Sequence, residues 1–229
     1  MKGNVVLATI PDVQELSDQE AINRVLNGET SIYEIIMRRY NQRIYRVARG
    51  IVRDDSEAED VMQDAYVRAY KGLASFQGRS SLATWLTRIA VNEALQRKRR
   101  NKRMDPIEEG DRVMQLAALG ESPEQVCGRE ELRALLEHAM AALPESLRIV
   151  VMLRDVEEMT TAETAETLEL SAANVRIRLH RGRALLRKLL VGNGGLPARD
   201  AYSFHLSRCD RVVAGVLSAV EGGAACRIA

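Results

Sequence analysis

Two separate stretches of the sequence concentrate arginine and lysine. Residues 88–103 contain seven basic side chains and one acidic one, and residues 176–188 contain six basic side chains and no acidic one. Clustered guanidinium and ammonium groups bind phosphate oxygens, so each stretch is a candidate for contact with nucleic acid. The alternative in each case is a solvated helix surface, because cations also favour the C-terminal end of a helix.

The acidic side chains lie elsewhere, although the chain of 229 residues has a formal net charge of only +1. Residues 54–64 hold six carboxylates, and residues 155–169 hold another six. The two positive patches are therefore set against separate negative surfaces. For binding partners, this segregation matters more than the total charge.

The sequence contains no pattern typical of a catalytic centre or a cofactor site. There is no Walker-type phosphate loop, no His-Glu-x-x-His pair and no paired-cysteine spacing for zinc. The histidines and serines have no partner at an informative spacing. We therefore expect a protein without enzymatic activity, cofactor, bound metal or small-molecule substrate.

Sequence features also predict the cellular compartment. No stretch approaches the roughly 20 apolar residues that a membrane span needs, and the apolar run at 5–10 ends at Pro11, too early for a signal-peptide core. The cysteines, Cys127, Cys209 and Cys226, are an odd number without paired spacing. We expect a soluble cytoplasmic protein without a disulfide framework.

Composition and periodicity predict an all-α fold with two small helical domains. Hydrophobic residues make up 46% of the chain and aromatic residues only 4%, while helix-forming residues are plentiful. Residues 104–128 lose the helical period and gather acidic residues, glycine and proline, which predicts a flexible linker. The linker separates a first domain at 30–103 from a second at 129–191. A lead-in at 1–29 and an extension at 192–229 flank them.

The first domain is predicted to be a bundle of three helices. Apolar residues recur with the helical period over 32–51 and 58–73, and residues 54–56 between them supply a break and a helix cap. Ser80 or Ser81 caps the third helix. The inward-facing residues of that helix are Leu82, Trp85, Leu86 and Ile89.

The second domain shows a pattern typical of a helix-turn-helix. A helix over 132–143 is followed by one that begins at Pro144, then by a short helix at about 160–168 and a longer one at 172–190. The longer helix has an apolar face with basic flanks, which suits the major groove of DNA. Its apolar face consists of Val175, Leu179, Gly182, Leu186 and Leu189, with Ile177 at the outer edge.

An aromatic ring and a side-chain amide lie on the helix that leads into the first basic stretch. Trp85 and Asn92 beside a cationic surface have the chemistry that unstacked single-stranded bases require. Trp85 also falls at a core position of the helical pattern, so packing is the alternative role for its ring.

Several short motifs, in their order along the chain, resemble those of the extracytoplasmic-function (ECF) sigma factors of bacterial RNA polymerase. The resemblance spans roughly 30–190, and the order of the motifs around an acidic linker makes the combination specific. The motifs are Asp60-Val-Met-Gln63-Asp64, Phe76-Gln-Gly78, Thr84 to Asn92 with the basic run after it, Leu143-Pro144, Arg148, and Ser171 to Arg183.

The resemblance implies an alternative sigma factor whose partners are core RNA polymerase, double- and single-stranded promoter DNA, and an anti-sigma factor. The first domain would be sigma region two, which binds polymerase and opens the −10 element, and the second would be region four, which recognises the −35 element. The implied polymerase-binding residues are Asp60, Gln63 and Asp64. The implied −10 residues are Trp85, Arg88, Asn92, Arg97, Arg99 and Arg100. The implied −35 residues are Asn174, Arg176, Ile177, Arg178, Arg181, Arg183 and Arg187, where Ile177 replaces the small polar residue common in the family.

The C-terminal extension combines a predicted joint with an amphipathic segment. Residues 192–195 are glycine-rich, and residues 209–220 carry apolar side chains at helical spacing. Phe204 to Arg211 resembles a tail found in many ECF factors. His205 and Cys209 are four residues apart and could share a metal ion, with Cys226 as a possible third ligand, but two ligands are too few for a structural zinc. The alternative is a docking helix.

Two other classes of protein compete with the sigma-factor interpretation. A stand-alone helix-turn-helix regulator would explain 129–190 but leaves the first bundle and its acidic helix without a role. An anti-sigma factor or another interaction protein would leave both cationic patches unexplained. Specific initiation on a promoter library with purified core polymerase distinguishes the three.

Overall fold

The computed structural model describes residues 16–104, 129–190 and 206–225, which are helical and contain no strand. None of the helices in these ranges is long and apolar enough to cross a membrane. The predicted all-α fold is confirmed, whereas residues 105–128 of the predicted linker and the joint at 192–195 lie outside the described residues. The helices are α1 (Asp18–Leu26), α2 (Tyr33–Val52), α3 (Asp55–Gly72), α4 (Leu82–Met104), α5 (Arg129–Ala142), α6 (Glu145–Val151), α7 (Thr161–Leu168), α8 (Ala172–Leu190) and α9 (Leu206–Ala225).

The first helix, α1, lies within the stretch that the sequence analysis assigns to the lead-in. It begins with a capping box, in which the Ser17 hydroxyl accepts a hydrogen bond from the Glu20 amide and the Glu20 carboxylate accepts one from the Ser17 amide. Ala21, Ile22 and Val25 are buried as α1 packs on α2. The Ser-x-x-Glu spacing is typical of a helix start and could have indicated α1. The helix was not predicted because three apolar residues are too few to establish a helical period.

Helices α2, α3 and α4 form the predicted bundle of the first domain. The predicted caps are present: Asp54 accepts from the Glu57 amide at 2.9 Å, and Ser81 accepts from the Thr84 amide at 3.1 Å. In the core, the Tyr33 hydroxyl donates to the Tyr66 carbonyl at 2.8 Å, which satisfies a buried polar atom. Of the four residues predicted to face inward from α4, two are fully buried, Leu82 and Leu86, and two are partly buried, Trp85 and Ile89.

Helices α5 to α8 form the second domain, in which α8 packs closely on α6. Pro144 caps α6 from just outside the helix, one residue before the position that the sequence predicts. A β-carbon placed on Gly182 of α8 would lie 2.6 Å from a methyl group of Val151, so this crossing requires a glycine. The buried face of α8 also includes Val175 and Leu179, as predicted.

The amphipathic segment of the C-terminal extension is α9, which packs on α2 and α3 of the first domain. This confirms that the segment docks on the rest of the chain. His205 lies outside the described residues, and Cys209 is buried as a free thiol. Among the residues that the structure describes, no group of three or more histidine, cysteine or acidic side chains could hold a metal ion.

Arg148, at the centre of α6, joins the two domains. Its side chain is almost completely buried, with 2% of its surface exposed. Its Nε donates to the Gly50 carbonyl of α2 at 2.7 Å, and its Nη1 donates to the Ala141 and Leu143 carbonyls at 3.2 and 2.8 Å. These carbonyls lie at helix ends, where no intrahelical donor is available for them, so the guanidinium completes the C-terminal ends of α2 and α5 at once.

Replacing Arg148 with methionine should destabilise the protein strongly. Arg148→Met keeps the aliphatic volume but removes the donors from buried carbonyls, and each buried carbonyl without a donor costs about 1–3 kcal/mol. We expect the free energy of unfolding to fall by about 3 kcal/mol in urea denaturation. Arg100→Met, at an exposed position of α4, is the matched control. Equal stability of the two variants would contradict the bridging role of Arg148.

Candidate nucleic-acid interface

The turn between α7 and α8 fixes the direction of the basic helix α8. A capping box begins α7, with Thr160 accepting from the Glu163 amide at 3.1 Å. Glu169 adopts the left-handed conformation, with φ 54°, and reverses the chain. The Ser171 hydroxyl then accepts from the Asn174 amide at 3.2 Å and begins α8. The predicted helix-turn-helix is therefore present, with Ser171 as its predicted cap.

The outer face of α8 presents polar and basic side chains to solvent. Ile177 lies at the outer edge, as predicted, with 49% of its surface exposed. Val175, Leu179 and Gly182 are buried on the opposite side of α8. This packing fixes which face of the helix is exposed. The predicted −35 residues that are exposed are Asn174, Arg176, Ile177, Arg181, Arg183 and Arg187.

Two of the predicted −35 arginines have neighbours within the protein. Arg183 forms a two-bonded ion pair with Asp155, at 2.5 and 2.9 Å, and the hydrogen bond to Asp155 raises the pKa of Arg183 above its usual value. Arg178 is half-buried and lines a cleft with Leu95 of α4 and Glu145 of α6. Arg178 therefore borders a cleft that is lined mainly by the second domain, whereas Ile177 lies at the exposed outer edge of α8.

The predicted −10 residues on α4 differ in their surroundings. Trp85 is half-buried, and its ring packs 5.3 Å from that of Phe76, measured between ring centres. The packing role that the sequence left open is therefore present. Asn92 is exposed, as are Arg99 and Arg100 near the end of the helix.

Acidic side chains of the second domain contact the same helix, α4. Arg88 pairs with Glu166 of α7, and Lys98 pairs with Glu145 of α6. The Thr84 hydroxyl donates to Glu163 at 2.8 Å. Burial alone would raise the pKa of Glu163, but hydrogen bonds from Thr160 and Thr84 hold that pKa below its usual value. Part of the basic surface of α4 is therefore covered by α6 and α7.

Arg97 connects two sets of residues that the sequence assigned to different partners. Its guanidinium pairs with Asp60 and, at 3.6 Å, with Asp64. The two aspartates are one turn apart on α3, and about half of each side chain is exposed. Gln63, the third predicted polymerase residue, is partly buried. Its side-chain amide lies against the backbone of α9 at Gly215.

Comparison with known proteins identifies both domains. The Sigma-70 region 2 family matches residues 36–104, and the Sigma-70 region 4 family matches residues 133–186. The RNA polymerase sigma-H factor of Pseudomonas aeruginosa is 32% identical over 183 residues, which cover 76% of this chain and 93% of that protein. The ECF RNA polymerase sigma factor SigW of Bacillus subtilis is 31% identical, with coverage of 77% and 98%.

The chain belongs to the ECF family of RNA polymerase sigma factors. It is an alternative sigma factor, which directs polymerase to promoters and initiates transcription. Sigma factors are initiation factors without catalytic activity, so the protein is not an enzyme. The sequence-based identification is confirmed in each of these respects.

Solved structures share the fold of this sigma factor. The sigma factor RpoE of Bartonella quintana, in complex with the anti-sigma factor NepR, aligns with a TM-score of 0.53 at 19% identity, covering 75% of this chain and 99% of that one. CnrH, in complex with the cytosolic domain of CnrY, aligns with a TM-score of 0.54 at 23% identity, covering 77% and 99%. At these identities the alignments show a common arrangement of helices.

Sequence analysis of this sigma factor missed a buried ion cluster between the domains. Glu157, just after α6, is 5% exposed and accepts from Arg46 Nε of α2 at 2.8 Å, with Arg43 Nε at 3.3 Å. Arg43 also donates to Thr87 of α4 at 3.2 Å. The arginines appear in the sequence only as polar positions on an amphipathic helix, and nothing local relates them to a glutamate more than 100 residues away.

Removing the charge of Glu157 should loosen the contact between the domains of this sigma factor. Glu157→Gln keeps the shape of the side chain, but it leaves two arginines with a weaker acceptor in a site of low exposure. We expect the free energy of unfolding to fall by about 2 kcal/mol and the α7 amides to exchange hydrogen faster. Glu221→Gln, at an exposed position of α9, is the control. A contact that does not depend on Glu157 would give the same exchange in both variants.

Proposed function

We propose that the outer face of α8 recognises the −35 element of the promoter. The observation that carries this proposal is the row of exposed side chains from Asn174 to Arg187, opposite a face that is buried in the second domain. Arg176 and Arg181 lie in the first turns after the cap, the part of a recognition helix that reaches base edges. Arg187 lies farther along, where a phosphate contact is expected.

We further propose that α4 recognises and opens the −10 element. Exposed Asn92, Arg99 and Arg100 offer an amide and two guanidinium groups to single-stranded DNA. Arg88 and Lys98 are engaged by acidic side chains of the second domain. Binding of DNA along the whole of α4 therefore requires the domains to separate, so that phosphates replace Glu166 and Glu145 as partners of the cations.

The exposed acidic side of α3 is the proposed contact with core RNA polymerase. Asp60 and Asp64 present two carboxylates one turn apart, and Arg97 holds them in place. Gln63 adds a neutral hydrogen-bonding group beside them. Such a surface complements a basic protein surface, and its charge would speed the encounter between the two proteins.

We also propose that the protein acts in the cytoplasm, where its polymerase is, under the control of an anti-sigma factor. Two sigma factors of the same fold, RpoE of Bartonella quintana and CnrH, form complexes with NepR and with the cytosolic domain of CnrY. Support for the proposal comes from this shared arrangement of helices.

The domain limits that we propose are those predicted from the sequence, with α1 added to the first domain.

Reversing either exposed aspartate of α3 should weaken polymerase binding. We expect Asp60→Lys and Asp64→Lys each to raise the Kd for core polymerase about tenfold at low salt, because each replaces an attraction with a repulsion. Glu221→Lys, which reverses an exposed carboxylate near the end of α9, is the matched control. The measurement is fluorescence anisotropy of labelled full-length protein. Wild-type affinity in both aspartate variants would refute the assignment of this surface.

Alanine substitutions along α8 should separate base recognition from phosphate contact. With holoenzyme on a library randomised at the −35 element, Arg176→Ala or Arg181→Ala should relax the preference at one base pair, at a cost of about 1–3 kcal/mol of discrimination. Arg187→Ala should instead weaken all sequences alike and reduce the slope of log affinity against log salt by about one. If all three variants keep the wild-type preference and salt slope, α8 does not recognise the −35 element.

A further inference from the structure

The C-terminal helix α9 lies on the first domain through an apolar face. Four valines and the Cys209 thiol of this face are buried, and the helix packs mainly on α3, with a smaller contact on α2. The Cys209 sulfur lies beside the Asn41 amide and the Arg38 guanidinium of α2. The buried valines are Val212, Val213, Val216 and Val220. Their spacing gives one continuous seam along α9.

Ion pairs border this apolar seam on the side of α3. Arg208 pairs with Asp55 at 2.9 Å, and Arg211 pairs with Glu59 at 3.0 Å. Asp55, Glu59 and Gln63 follow one another at four-residue intervals, so they form one stripe along α3. Burial alone would raise the pKa of Asp55, but hydrogen bonds from Arg208, Arg49 and Tyr45 hold that pKa at about 2. Asp55 is therefore ionised at neutral pH.

Gly215 brings α9 against the last residue of this stripe. A β-carbon on Gly215 would lie 3.1 Å from the amide carbon of Gln63 and 3.2 Å from both of its terminal atoms. The glycine thus allows the backbone of α9 to cover the Gln63 side chain. Ala214, the preceding residue, is exposed and lies on the side of α9 away from its buried valines.

We infer that α9 and core RNA polymerase compete for Gln63 and the adjoining surface of α3. The inference rests on the proposed role of Asp60, Gln63 and Asp64 in polymerase binding. One of those three side chains is covered by α9, and the other two lie within one turn of it on the same helix. In the free protein, α9 covers part of the surface that polymerase binds. The apparent affinity for polymerase is therefore the intrinsic affinity multiplied by the fraction of molecules in which α9 is undocked.

The contacts of α9 are suited to reversible release. The ion pairs are partly exposed, with 63% of the Arg211 side chain and 46% of the Asp55 side chain accessible, and such pairs contribute little stability. Fifteen residues, 191–205, connect α8 to α9. An extended chain of that length reaches about 50 Å, enough for α9 to leave α3 without disturbing α8.

A pair of leucine substitutions tests the competition directly. Gly215→Leu places a side chain where the Gln63 amide now lies, whereas Ala214→Leu adds the same side chain on the exposed side. Docking of α9 is measured in the free full-length protein as protection of its amides from hydrogen exchange, and affinity is measured with labelled core polymerase. We expect Gly215→Leu to lose protection and to bind polymerase about three- to tenfold more tightly than wild type, and Ala214→Leu to behave as wild type.

A charge exchange provides the second test, at a site that requires no repacking. Arg211→Glu places like charges opposite each other and should weaken the docking of α9, with a smaller gain in polymerase affinity than Gly215→Leu, because an exposed ion pair contributes little stability. Glu59 also pairs with Arg208 at 3.5 Å. Adding Glu59→Arg to Arg211→Glu restores only the pair with residue 211, with reversed polarity, so it should recover part of the protection of α9 and bring the affinity part of the way back to that of the wild type.

The outcomes distinguish this inference from the proposed function on which it rests. Loss of α9 protection in Gly215→Leu or Arg211→Glu, with polymerase affinity equal to or below that of wild type, overturns the competition. Absence of protection in the α9 amides of the wild type overturns the docking itself. If Asp60→Lys and Asp64→Lys bind polymerase as tightly as the wild type, the proposed polymerase surface fails, and that result is obtained independently of α9 protection.

Discussion

The packing of the two domains depends on one buried cation, Arg148. A guanidinium removed from water must keep its hydrogen bonds, and Arg148 finds them at carbonyls of α2 and α5. These carbonyls belong to helix ends, so the same bonds also fix where each helix stops. Once Arg148 is in place, Glu157 reaches Arg43 and Arg46 of α2, and a second polar contact forms between the domains. Arg148 and Glu157 are buried, whereas 24% of the Arg43 side chain and 19% of the Arg46 side chain remain exposed.

In the free protein, charged side chains that we propose to contact DNA or polymerase are paired with opposite charges of the same chain. Arg88 and Lys98 of α4 meet glutamates of the second domain, and Arg97 meets Asp60 on α3. All three pairs are at least partly exposed to solvent, so each contributes little to stability and can be exchanged for a phosphate or for a partner protein. The same charge segregation that gives the sigma factor two partners therefore also gives it a compact free form.

The two helices that we propose to bind DNA differ in exposure. The residues of α8 proposed to contact the −35 element face solvent, whereas α4 is partly covered by α6 and α7, and α3 is partly covered by α9. If these proposals hold, α8 is accessible to promoter DNA in the free protein, while DNA binding on α4 and polymerase binding on α3 both require internal contacts to be replaced. In this proposal the two partners displace different internal contacts, because DNA on α4 replaces Glu166 and Glu145 of the second domain, whereas polymerase on α3 replaces α9.

The sequence by itself determined the helices of the two domains and the chemistry of their exposed faces, because these depend on residues within a few positions of one another. Ser171 was predicted as a cap, and the structure selects Asp54 from the candidates at 54–56 and Ser81 from Ser80 and Ser81. The buried valine and glycine positions of α8 followed from the 3.6-residue period. Only the tertiary structure decided which charges pair. Arg97 with Asp60, Glu157 with Arg46, and Arg211 with Glu59 are each separated by 37 to 152 residues, and many arginines and carboxylates could have paired in their place. The apolar cores fix how the helices pack, and helix packing then determines which of these charged side chains lie close enough to pair.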